Sequence, residues 1–292
     1  VIDAFQDFGH KTVLILRGGK KLVLEGVHKA ELKADQFIVS DTQKGPISSA
    51  TPYLVPVDGS ISFVSLLTTG DAVGFKDAAQ TIPWKMVGIP DGLGAFDNGD
   101  GTFTVLMNHE LSPTAGVARD HGGTGAFVSK LVIDKASLTV LSGDDLIQTV
   151  HLYDPGTGDF YNPVTDAGHP VSGAYQFDRL CSADLAAVTA FYNPETGLGY
   201  NGGRIFMNGE EDGPPFSTHY GLAFAHFASG SLAGESFELA TLGKLAHENV
   251  VADPYSGDKT IIATLDDGPT GTSQVYFYYG DKQATGTALD MA

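Results

Sequence analysis

Short runs of β-branched and aromatic residues, each bounded by Gly, Asp or Asn, recur along the chain at 102–107, 204–207, 260–265 and 274–279. Runs this short that end on turn formers predict many strands joined by tight turns, and so an all-β protein. Two further strands are expected at 12–16 and 21–24, around Arg17-Gly18-Gly19-Lys20. Asp97-Asn98-Gly99-Asp100-Gly101 reads as a hairpin turn rather than a calcium loop, because the spaced glutamate of such a loop is missing. Residues 40–60, with Pro46, Pro52 and Pro56 among small polar neighbours, read as a linker.

The strand runs carry an approximate repeat. Residues 102–107 lead into Asn108-His109-Glu110, 204–207 into Asn208-Gly209-Glu210-Glu211-Asp212, and 260–264 into Leu265-Asp266-Asp267-Gly268, with His247-Glu248-Asn249 as a fourth candidate. Each apolar strand stops on carboxylates. Spacings near 50 or a multiple of it suit the blades of a β-propeller, whose equivalent strand ends converge on the axis. Carboxylates gathered in this way repel one another unless a cation lies among them. Glu110, Glu210, Glu211, Glu248, Asp266 and Asp267 are therefore the candidate metal ligands, set against the plainer reading as solvated turns. His109 and His247 stand beside candidates, but neither completes a His-Glu-x-x-His helix, so orienting a carboxylate or packing in the core is their expected role.

Composition and charge narrow the functional classes. With 292 residues, 42% of them hydrophobic, the chain can bury a full core. A net charge of −18 opposes binding to nucleic acid or to anionic lipid, and it suits hard cations or simple solubility equally. The one cysteine, Cys181, excludes an internal disulfide. No apolar run approaches the roughly 20 residues of a membrane helix, so membrane insertion is not expected. A Gly-x-Ser-x-Gly elbow, a P-loop and a dinucleotide fingerprint are all missing. The start at Val1, and the end soon after a strand signal, read as an excerpt of a longer polypeptide whose other parts are expected partners.

Two resemblances carry the reading further. Leu22, Leu24, Gly26, Val27, Ala30, Leu32, Ala34, Asp35 and Phe37 are similar to the closing segment of RTX-type calcium-binding repeats. That resemblance implies bacterial export, to the medium or the cell surface. Then Ile89-Pro90-Asp91-Gly92-Leu93, Asn108-His109-Glu110, Arg179-Leu180-Cys181, Gly209-Glu210-Glu211, His247-Glu248 with Asp253-Pro254, and Asp266-Asp267-Gly268 ahead of 276–279 follow the order seen in PhoX-type alkaline phosphatases. The resemblance implies a six-bladed β-propeller, incomplete in this chain, and a centre of ferric and calcium ions that hydrolyses phosphate monoesters. Matched residue by residue, it implies Cys181 as an iron ligand, Glu211 and Glu248 as metal-site glutamates, and Glu110 with Asp266 or Asp267 near the cluster. Arg179 becomes the phosphate clamp, set against an ordinary structural ion pair. Gly209 stands where the family usually has a cysteine, and Ser182-Ala183-Asp184-Leu185 replaces its Thr-Pro-Trp segment.

The expected organisation is an RTX-like β segment at 1–39, the linker at 40–60 and a partial propeller at 61–292. The expected activity is a metal-dependent phosphoesterase acting on a small phosphorylated substrate with Ca2+ and Fe3+. Two alternatives are a non-catalytic propeller braced by calcium within a large exported surface protein, and a calcium-dependent lactonase or phytase-like propeller.

Overall fold

The computed structural model describes residues 5–15, 21–33, 43–58, 60–75, 81–212, 220–268 and 271–292. It is all-β and divides into two compact units, Val1–Thr68 and Thr69–Ala292.

In the first unit β1 (Phe5–Phe8), β2 (Lys11–Ile15) and β3 (Lys21–Glu25) form an antiparallel meander. The strands expected at 12–16 and 21–24 are β2 and β3. Arg17-Gly18-Gly19-Lys20 lies outside the described residues, as do Leu16, Ala34, Asp35 and Phe37. Within the stretch read as a linker, β4 (Gln43–Lys44) pairs in parallel with β5 (Val64–Ser65). Ser48 is buried there, its hydroxyl bonded to Ala50 O and Thr68 Oγ1.

The second unit opens with a small hairpin, β6 (Ala72–Phe75) and β7 (Pro83–Lys85), followed by a four-stranded meander of β8 (Pro90–Asp97), β9 (Thr102–His109), β10 (Phe127–Asp134) and β11 (Val140–Asp145). The segment 97–101 is the β8–β9 hairpin turn: Asp97 Oδ1 accepts Gly99 N–H, and Asp100 Oδ1 accepts Thr102 N–H. Next come β12 (Thr149–Asp154), β13 (Asp159–Tyr161), β14 (Leu180–Asp184), a minor hairpin β15 (Tyr192–Asn193) and β16 (Leu198–Gly199), then β17 (Ile205–Glu210), β18 (Ala223–Phe227) and β19 (Glu235–Glu238). These make a sheet ordered β13-β12-β19-β18-β17-β14, in which β12 joins β19 in parallel. The last sheet is β20 (His247–Ala252), β21 (Lys259–Asp266) and β22 (Val275–Asp281), before a short helix α1 (Ala288–Met291).

The middle sheet is covered on both faces, which is why β17 and β18 are buried at every position, the polar Asn208, Glu210 and His226 included. Alternate residues point to opposite sides. Phe206 and Phe224 join Leu106, Val128 and Leu146 in one core, while Ile205, Met207, Ala223 and Phe227 join Val250, Ala252 and Ile262 in the other. Burying each such phenylalanine contributes about 1.5–3 kcal/mol. Three sheets are thus layered face to face, and none closes on itself.

At one margin of this stack the edge strands β8, β14 and β20 run beside each other. Glycines permit the approach: a Cβ on Gly92 would lie 2.4 Å from Ala183 N, and one on Gly209 2.3 Å from His247 Cβ. A buried polar chain crosses the layers. Asn108 Nδ2 donates to Cys181 O at 3.0 Å and Ser182 O at 3.1 Å, Asn208 Nδ2 donates to Asn108 Oδ1 at 3.0 Å, and His226 Nε2 donates to Asn208 Oδ1 at 2.8 Å. The strands expected to line the centre are β9, β17 and β21, and each lies second in its sheet. The edge positions nearest the neighbouring sheets belong to β8, β14 and β20.

Candidate metal centre

The three sheets build the same local device. Just beyond the second strand, Glu110 N–H donates to Ile89 O, Glu211 N–H to Arg179 O, and Asp267 N–H to Ala246 O, at 3.0, 3.2 and 2.9 Å. Two residues after each of those carbonyls, on the edge strand, stand Asp91, Cys181 and Glu248. Each edge strand then carries one extra residue against its partner: Pro90↔His109 is followed by Leu93↔Met107, Leu180↔Glu210 by Ala183↔Asn208, and His247↔Asp266 by Asn249↔Leu265. These are β-bulges, which re-aim side chains and favour functional positions. The sheets therefore present three equivalent pairs: Asp91 with Glu110, Cys181 with Glu211, and Glu248 with Asp267.

The pairs converge. Ligand atoms of Asp91, Glu110 and Cys181 lie within 4.8 Å of one another, and so do those of Cys181, Glu211 and Glu248, so the sulfur is common to both groups. Cys181 Sγ donates to Asp91 Oδ2 at 3.4 Å. Asp267 faces both Glu211 and Glu248. Among these carboxylates lies the guanidinium of Arg179, with Nε 3.0 Å and Nη2 2.9 Å from Glu110 Oε1 and Nη2 2.5 Å from Glu211 Oε2.

Protonation follows from burial and like charge. The Cys181 thiol is pushed up to about 12, first by burial and then by the carboxylates of Glu211, Asp91 and Glu248. Burial raises Glu211 to about 7 against the pull of Arg179. Glu248 is raised by burial and then by Asp267, Asp91 and Glu110. In all three the shift is upward, and a bound cation would reverse it. The Glu211 side chain is only 9% exposed, and its Oε2 atom is inaccessible with no well-aligned hydrogen bond, although Arg179 stands close. Carboxylate oxygens suit hard cations such as calcium, and a thiolate suits softer transition metals, iron among them, so these residues could hold an ion of either kind.

The candidates divide by where the structure places them. Glu110, Cys181, Glu211, Glu248 and Asp267 are brought together with Arg179. Glu210 lies apart from them. Its wholly buried carboxylate accepts the Tyr175 hydroxyl and the N–H groups of Asp178, Gly221 and Leu222, and burial raises it to about 8. That set of bonds ties two chain segments together. Asp266 sits opposite His247 at the end of β21, with Oδ1 inaccessible and outside both groups. His109 and His247 are buried in their sheets. His109 Nε2 meets Ser129 Oγ at 2.5 Å and its ring stacks on Phe127, while His247 Nδ1 meets Thr264 Oγ1 at 2.7 Å.

Asp91 is the member that the carboxylate-ending strands did not disclose, since it belongs to an edge strand rather than to the end of a central one. Its signal is the shared offset: Asp91, Cys181 and Glu248 each follow by two the residue whose carbonyl holds the neighbouring acid. No family model, curated protein or solved structure matches this chain.

Proposed function

We propose that this chain carries the metal centre of a phosphoesterase acting on phosphate monoesters. The observation that supports it is the convergence of residues from all three sheets, Asp91 and Glu110 from the first, Glu211 from the second and Glu248 from the third, around the Cys181 sulfur. Asp91, Glu110 and Cys181 would hold one cation, and Cys181, Glu211 and Glu248 another, with Asp267 beside them. Ferric and calcium ions held there would supply Lewis-acid polarisation of the phosphoryl group. Cys181, as a thiolate, would be the soft ligand of the set. The half-exposed Arg179 offers a planar, charged fork that can orient a phosphoryl oxygen. The PhoX-like order of motifs points to the same chemistry.

In this reading the sheets are blades of a propeller. The outward face of the last sheet supports it: Val251, Val275, Phe277 and Tyr279 share one side and stay exposed, as a face awaiting another sheet would.

A second reading draws on the position of the centre at the junction of three sheets, where a calcium ion would brace the layers without catalysis. Hydrolysis of p-nitrophenyl phosphate by the full chain, with and without chelator, tests the choice. Chelator-sensitive turnover that Cys181→Ser abolishes supports the phosphoesterase. Bound calcium without iron or turnover supports the brace.

A further inference from the structure

We propose that Arg179 is a built-in counter-ion of the metal centre, which a bound cation must displace from Glu110 and Glu211. The inference rests on the metal-centre reading and concerns how that site is filled.

Three observations carry it. First, one guanidinium holds a carboxylate from each ligand group, Glu110 from the first and Glu211 from the second, at 2.5–3.0 Å. A cation taking either carboxylate loses part of that oxygen to the guanidinium and is repelled by its charge. Second, the charge is not needed for the backbone. Arg179 adopts φ 40°, in the left-handed region, and its carbonyl accepts Glu211 N–H. In the first sheet Ile89 does the same at φ 51°, with its carbonyl accepting Glu110 N–H, while in the third Ala246 accepts Asp267 N–H without the left-handed φ. An uncharged residue can therefore make this turn, so the arginine side chain acts on the site rather than on the fold. Third, the Arg179 side chain is 45% exposed while the Glu211 side chain is 9% exposed. The guanidinium can leave toward solvent, whereas the carboxylate stays behind with an inaccessible oxygen that needs a positive partner.

Without metal, Arg179 thus screens the acidic cluster. With metal, it is released beside the centre as a free cation, placed to meet an anionic substrate.

The test is calorimetric titration of the full chain with calcium alone, comparing the original protein with Arg179→Gln and Arg179→Lys, alongside melting curves. Arg179→Gln should bind calcium about tenfold more tightly, melt lower without calcium and gain more from it. Arg179→Lys, which keeps the charge without the fork, should lie between. Equal or weaker calcium affinity in Arg179→Gln would overturn the proposal and leave the metal centre standing. No calcium binding by any of the three proteins would remove the metal centre and this inference with it. If Arg179→Gln is unfolded without metal, circular dichroism during the same titration decides: calcium-driven folding supports the proposal, and a chain still unfolded in millimolar calcium contradicts it.

Discussion

Asn208 Nδ2 donates to Asn108 Oδ1 at 3.0 Å, and both residues are wholly inaccessible. This bond joins two sheets immediately behind the candidate metal centre, since Asn108 also holds the carbonyls of Cys181 and Ser182. With its amide oxygen accepting from His226 Nε2, Asn208 satisfies partners on both sides. Asn208→Ala strands two buried polar groups, and the expected loss is about 2–4 kcal/mol in a denaturant titration. A loss under about half a kcal/mol would mean that the bond carries little of the stability.

The buried histidines work against stability in acid. His226 is lowered to about 3 by burial and then by His121, and burial lowers His121 and His109 to about 4. Unfolded, each takes up a proton near pH 6.5, while the folded protein excludes it. Their contribution is therefore intact above pH 6.5 and is lost as pH falls toward 4, with a slope of up to about 1.4 kcal/mol per pH unit for each. Glu210 and Glu211, raised to about 8 and about 7, pull the other way over the same range, so the histidine contribution is read by difference. Between pH 6.5 and 4 the unfolding free energy of His226→Gln should fall by about 1.4 kcal/mol per pH unit less than that of the original chain, and an unchanged slope would contradict the assigned burial.

Gly209 faces His247 so closely that a methyl group cannot enter. Gly209→Ala should force the second and third sheets apart at about 2–3 kcal/mol in stability and weaken calcium binding, because Glu211 follows two residues later. Melting curves with and without calcium read both effects.

Glu248 is held among like charges, so Glu248→Gln is expected to raise the melting temperature of the metal-free protein while weakening calcium binding. Function and stability then move in opposite directions. A variant that melts lower without metal would argue that Glu248 is structural.

The sequence shows the central strands plainly, because β9, β17 and β21 are dense in β-branched and aromatic residues and end on turn formers. It leaves open which of two adjacent acids faces the site. Strand alternation sends Glu210 inward to Tyr175 and turns Glu211 toward Arg179, a choice set by register with β14. Asp266 and Asp267 divide in the same way. Asp91 is hidden because a bulge one residue long aims it, and the extra residue shows only when the partner strand is in place. The parallel pairing of β12 with β19 is likewise a long-range contact, with no local pattern to announce it.

Elemental analysis of the full chain, expressed in metal-replete medium and purified without chelator, tests the central claim most directly. The account predicts iron together with calcium bound to the folded chain, and loss of the iron in Cys181→Ser. A folded protein retaining neither metal would contradict the metal centre, and calcium alone, unchanged by the substitution, would contradict the role given to the cysteine.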